Sequence, residues 1–188
     1  MLAIALFGAF LTERLWLQPV LVESASMKPT LNANDRVLVN VHAKAAHLHR
    51  GDLIVLALNA NPPARAKYTG APLNPEIRDL LFASRTDRRA RFIVKRIVGL
   101  PGETVQATRG VVVINNVRKL PERYLSDSAH LSAKFPPIVL GSDEYYVLGD
   151  NRDSSRDSRF FGPVPRSSIL GVVRWRIWPI SGFGAVTR

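Results

Sequence analysis

The chain has 188 residues, 46% of them hydrophobic and 22% charged, with 26 Lys+Arg against 15 Asp+Glu and a formal net charge of +11. The apolar share excludes a wholly disordered chain, and the length fits one ordinary domain with room for a small annex. There is no cysteine, which excludes disulfides, thiol nucleophiles, thiolate zinc sites and iron–sulfur clusters, while the charge favours a polyanionic neighbour, either nucleic acid or an anionic membrane surface.

Residues 1–11 (MLAIALFGAFL) are apolar or small throughout. Thr12, Glu13 and Arg14 interrupt, and LWLQPVLV continues to Val22. Eleven helical residues reach about 16 Å, short of a hydrocarbon core of about 30 Å. Three readings stand: a signal peptide, which here lacks its cationic start, a soluble core helix, and a membrane anchor. The anchor is preferred, as a helix over 1–19 ended by Pro19, with Trp16 at the interface.

Asp35–Val41 (DRVLVNV) alternates and is predicted as a strand. Asp52–Leu58 (DLIVLAL) is a continuous apolar run, so it is expected to be a strand buried on both faces. Residues 59–91 are irregular and basic, with prolines at 62, 63, 72 and 75, and read as an insertion. Arg91–Gly99 is a strand followed by a turn at Leu100-Pro101-Gly102. Val111–Leu120 reads as a hairpin around Asn115-Asn116, since Asn tolerates positive φ. Residues 121–137 read as loop. Glu144–Leu148 and Ile169–Trp178 complete the strands, and the pattern is that of a mainly β fold.

Three positions carry chemistry. Ser24 and Ser26, in SASMKPTL, lie next to the apolar segment. Each is either a helix cap or an exposed nucleophile with an amide aimed at an oxyanion, and alone the cap is the stronger reading. Lys95 falls between Ile93 and Ile97 on one face of a strand. A core face would desolvate its amine, lower its pKa and let it take a proton from a hydroxyl, whereas on an edge strand Lys95 and Arg96 would be an ordinary basic pair. The loop Gly149–Pro163 holds three Asp and three Arg, a balance suited to internal ion pairs. It fails as a calcium loop, having Phe161 where the terminal Glu belongs. Arg50-Gly51-Asp52 reads as turn chemistry, and the four histidines lack metal-ligand spacing. Arg174 and Arg176 beside Trp175 and Trp178 suit lipid headgroups better than nucleic acid.

Taken in order, SMKPTL, RGDLIVL, VKRIVGLPGE and GDNRDSSRDSRFFGPV closely resemble the boxes of the type I signal peptidase family, the membrane-bound serine–lysine proteases. The resemblance implies a two-sheet antiparallel β catalytic core over 20–188, with a small β annex at about 103–143. It implies Ser26 as nucleophile, Lys95 as general base, and Ser24 as a partner of the Ser26 amide in the oxyanion hole. By the same resemblance Ser155 orients the lysine through a hydrogen bond, and Asp157 and Arg159 brace the site. Val20, Val22, Met27, Leu31, Ile93 and Val94 match the lining of apolar pockets for small residues.

No metal or cofactor is implied. The implied partners are signal peptides of secreted preproteins and membrane lipids, with no nucleic acid. The implied place is the bacterial inner membrane, with the catalytic domain on its outer face. The chain departs from the family pattern at Glu23 and Ala25, where Pro and Gly are usual. A conjugation-pilin-processing peptidase of the same fold, and a basic non-enzymatic binding protein, are the alternative functions.

Overall fold

Alternating valines fold as their alternation requires. In the computed structural model of the protein, which describes residues 17–41, 48–57, 92–125 and 134–186, β1 (Leu17–Leu21) pairs antiparallel with β2 (Arg36–Asn40). Val37 and Val39 point into a core while Arg36 is exposed. Next come β3 (Leu53–Ala57) and β4 (Phe92–Gly99), then β5 (Thr104–Thr108), β6 (Val111–Ile114), β7 (Arg118–Lys119) and β8 (Phe135–Val139). β9 (Glu144–Leu148), α1 (Ser158–Phe161), β10 (Val164–Pro165), β11 (Ile169–Trp178) and β12 (Gly184–Ala185) complete the chain.

All strand pairs are antiparallel. The larger sheet runs β1-β2-β11-β3-β4-β9-β10, with β12 on β11, and the smaller runs β7-β6-β5-β8. The fold is thus mainly β. The continuous apolar run of β3 is buried on both faces, as its composition requires. Leu53 and Val55 join one core with Met27, Leu31 and Val94; Ile54 and Leu56 join another with Ile97 and Val147. The smaller sheet has its own core, to which the larger contributes Val98, Tyr146 and Leu148.

The turn chemistry is as expected at two places. Asn115 and Asn116 hold φ of 51° and 61°, and the Val117 amide donates to the Ile114 carbonyl at 3.2 Å. Gly102 takes φ 77°, and the Glu103 amide closes the turn on the Leu100 carbonyl.

Two boundaries differ from expectation. Residues 135–137, expected as loop, open strand β8, although they include Pro136 and Pro137. Among the described residues β8 is an edge strand paired only with β5, and its register shifts across the two prolines, where an edge tolerates the missing donors. Leu17, Gln18 and Pro19 belong to edge strand β1 rather than to the end of a helix. The rest of the expected anchor and the expected insertion lie outside the described residues. Among the described residues no helix is long and apolar enough to cross a membrane.

Leu31 is fully buried in the core beneath β2 and β4. Leu31→Ala is expected to cost about 3 kcal/mol, by lost transfer energy plus a cavity. A urea titration with a lower midpoint and an unchanged slope checks it.

Candidate active site

Ser26 stands in a single 3-10 turn, Ala25–Met27, just beyond β1. Ser24 occupies the N-cap position of that turn but makes no side-chain cap bond. Its hydroxyl lies instead 3.1 Å from the Ser26 hydroxyl. The capping role, the stronger reading from sequence alone, is therefore not the one adopted.

Strand alternation in β4 delivers Lys95. It stands opposite Ile54 in the β3–β4 register, with Ile93 and Ile97 two residues to either side. The residue is 2% exposed, and Nζ donates to Ser26 Oγ at 2.6 Å and to the Val94 carbonyl at 3.0 Å. Burial pushes its pKa down from 10.5 to about 8. Asp157 and then Asp150 pull it back up, and Arg159 pushes it down.

The loop after β9 closes over this pair. The Asn151 amide donates to the Ser26 carbonyl at 3.0 Å, and Asn151 Nδ2 to the Ala25 carbonyl at 3.2 Å. At Gly149 a Cβ would stand 2.5 Å from Ser155 Cβ and 2.6 Å from the Ser26 carbonyl oxygen, so only glycine fits. Asp157, fully buried, accepts from the Gly149 amide at 3.0 Å and from Arg159 Nε at 2.8 Å. Arg159 in turn donates to the Arg152 carbonyl at 2.7 Å.

A cleft of about 240 Å³ opens beside the serines, lined by Leu21, Val22, Glu23, Ser24, Ser26, Met27, Phe92, Ile93 and Val94. A hydroxyl, a buried amine of lowered basicity and a cleft with apolar side chains in its walls together can support nucleophilic attack on an extended peptide.

A family model described as signal peptidase, peptidase S26, matches residues 1–178. The chain belongs to this family. A signal peptidase I of Leptolyngbya laminosa is 36% identical over 164 residues, covering 87% of this chain and 70% of that protein. A probable signal peptidase I-2 of Synechocystis is 32% identical, covering 88% of this chain and 65% of that protein. Signal peptidase I P of Bacillus subtilis subsp. natto is 30% identical, covering 94% and 85%.

The structure brings Ser24, Ser26 and Lys95 together and sets Asp157 and Arg159 behind them. Val22, Met27, Ile93 and Val94 line the cleft, whereas Leu31 is sealed in the core and Val20 packs partly buried against it. Ser155 departs from expectation. It is buried beside Gly149, but its Oγ makes no hydrogen bond among the described residues, since the recorded bonds of Lys95 Nζ go to Ser26 and Val94.

The ion pairs of the loop also differ from a self-contained set. Asp150 pairs with Arg96, which binds it through Nε at 2.9 Å and a terminal nitrogen at 2.8 Å. Arg152 pairs with Glu122, and the only internal pair among those described is Asp157–Arg159. Sequence reasoning singled out neither Arg96–Asp150 nor Arg152–Glu122. The signal for the first was present: an arginine next to a buried lysine on a strand of apolar residues needs a buried carboxylate.

The lowered pKa has a stability consequence of definite sign. Between pH 8 and 10.5 the unfolded chain keeps a proton on Lys95 that the fold has shed, so stability rises with pH across that window. Below it the fold carries a penalty of about 3 kcal/mol, at 1.36 kcal/mol per pKa unit. Lys95→Met is expected to be more stable than wild type at pH 7 by about 1–3 kcal/mol. The gain should vanish near pH 10.5, a trend that urea titrations at the two pH values would measure.

Proposed function

We propose that the protein is a signal peptidase I: a serine endopeptidase that removes N-terminal signal peptides from exported proteins, cutting after small residues in an Ala-x-Ala site. The observation that carries this reading is the 2.6 Å contact between Lys95 Nζ and Ser26 Oγ at a buried amine of lowered pKa. Membership of the signal peptidase family supports it.

The chemistry follows from those two groups. Neutral Lys95 accepts the Ser26 proton, and the oxygen attacks the scissile carbonyl. The Ser26 amide and the Ser24 hydroxyl hold the oxyanion as it forms. Protonated Lys95 then gives its proton to the leaving amine. A water, deprotonated in turn by Lys95, releases the acyl chain from Ser26. The lysine is oriented by its bond to the Val94 carbonyl. Asp157 and Arg159 fix the loop that closes over Ser26 and Lys95.

Val22, Met27, Ile93 and Val94 line the cleft with apolar side chains, which suits small apolar side chains such as alanine at the first and third positions before the cut. The apolar segment that precedes β1 serves as the anchor. It sets the catalytic domain on the outer face of the plasma membrane, and the +11 charge favours an anionic lipid surface.

A peptide with an Ala-x-Ala site, incubated with the full chain in detergent, tests the reading. Wild type should cut after the second alanine. Ser26→Ala and Lys95→Ala should each lower kcat/KM by at least about 10³-fold while remaining folded by circular dichroism. Because the active lysine is neutral, kcat/KM should rise with pH and level off above about 8. Cleavage that survives Lys95→Ala would remove the assigned base.

A further inference from the structure

The reach of the site toward substrate follows from the edge of β1. Among the described residues β1 pairs only with β2. The Val22 amide donates to the Asp35 carbonyl at 2.9 Å, and the Val22 carbonyl accepts from the Asn34 amide at 2.8 Å. Both main-chain groups of Val22, one residue past β1, thus face the segment leading into β2, and continued alternation turns those of Leu21 and Glu23 to the free edge. The side chains alternate as well. Val20 and Val22 pack inward, while Leu21 is 49% exposed and Glu23 is exposed on the opposite face. Across the cleft, β4 joins β9 only from Arg96 onward, so among the described residues no strand pairs with Phe92–Val94 on that side.

An extended peptide laid along the free edge of β1 must alternate too. Its first and third residues before the cut enter the apolar pocket on the Val22 face. The second residue then stays on the face shared by Leu21 and Glu23. Side chains directly across such a pair lie about 5 Å apart, and the diagonal neighbours about 7–8 Å, within reach of a long side chain. Glu23 is the one charged residue among those lining the cleft. It makes no ion pair or side-chain hydrogen bond among the described residues, in a chain that carries 26 Lys+Arg.

We propose that Glu23 is a specificity residue that selects a cationic side chain at the second position before the cut, so that Ala-Lys-Ala and Ala-Arg-Ala sites are preferred over Ala-Glu-Ala. This inference rests on the peptidase reading above and narrows its substrate class.

The test compares four peptides, Ala-x-Ala with x as Lys, Arg, Gln or Glu, on the full chain in detergent. Wild type should favour Lys and Arg over Gln by about three- to fivefold in kcat/KM, and over Glu by more, as an exposed ion pair allows. Glu23→Gln should flatten the series, Glu23→Lys should invert it, and Glu23→Asp should retain it. Raising the salt should shrink the preference. An order that survives Glu23→Gln, or a lysine favoured equally at the first position, overturns the proposal. Binding of the same peptides, fluorescently labelled, to Ser26→Ala separates the two readings. If wild type cuts none of them, the peptidase reading fails. The binding series then decides alone: a lysine preference lost in Ser26→Ala/Glu23→Gln supports charge selection, and its absence in Ser26→Ala overturns it.

Discussion

Burying an amine without a counter-charge in contact is the constraint that organises this molecule. β4 places Lys95 and Arg96 side by side in sequence and on opposite faces of a strand, and buries both. The two bases meet that burial differently because their chemistry differs. A lysine can give up its proton, and Lys95 is pushed far enough down that the neutral form is accessible near physiological pH. An arginine cannot, so Arg96 is surrounded by acceptors: the Asp150 carboxylate, the Gly51 carbonyl and the face of Tyr124, 3.9 Å from its guanidinium carbon. Had Asp150 sat against Lys95 instead, the lysine would be held cationic and unable to accept a proton. The geometry keeps the closest carboxylates on the arginines.

The same pairings assemble the site from distant parts of the chain. Arg96–Asp150 ties β4 to the loop after β9, and Thr30 donates to the same carboxylate from the segment after Ser26. Arg152–Glu122 ties that loop to the segment following β7. Asp157 then locks the loop on itself through Arg159 and the Gly149 amide. Each of these pairs is buried on at least one side, where losing one partner costs far more than a surface pair would, on the order of 3–5 kcal/mol. The hydroxyl and the amine are therefore held in register by ion pairs set behind them.

Much of this was legible from residues alone, and the reasons differ by segment. The alternation of Ile93, Lys95 and Ile97 placed the lysine between two isoleucines, because a two-residue period decides which side chains share a face, but whether that face was core or edge was left to the fold. The Asn115-Asn116 pair forecast its turn through the rarity of positive φ. The prolines of β8 misled, since their penalty disappears on an edge and an edge cannot be seen in one dimension. The ion pairs of the 149–163 loop were also misplaced. Charge balance within a loop says that partners are needed, not that they are local, and Arg96 and Glu122 lie far away in sequence. Leu21 and Phe92 were missed as cleft-lining residues because a cleft is formed by two strands that only the fold brings opposite each other.

The packing at Gly149 sets a limit on how this protein can vary. Three elements meet there so closely that even a methyl group would collide with Ser155 and with the carbonyl of Ser26. Any base change in the first two positions of a glycine codon introduces a side chain or a stop. The genetic code therefore offers this position no neutral neighbour, and drift at that codon is confined to its silent third base. The rigidity that sets the serine and lysine in contact is matched by a brittleness in mutation, concentrated at a residue that takes no part in the chemistry.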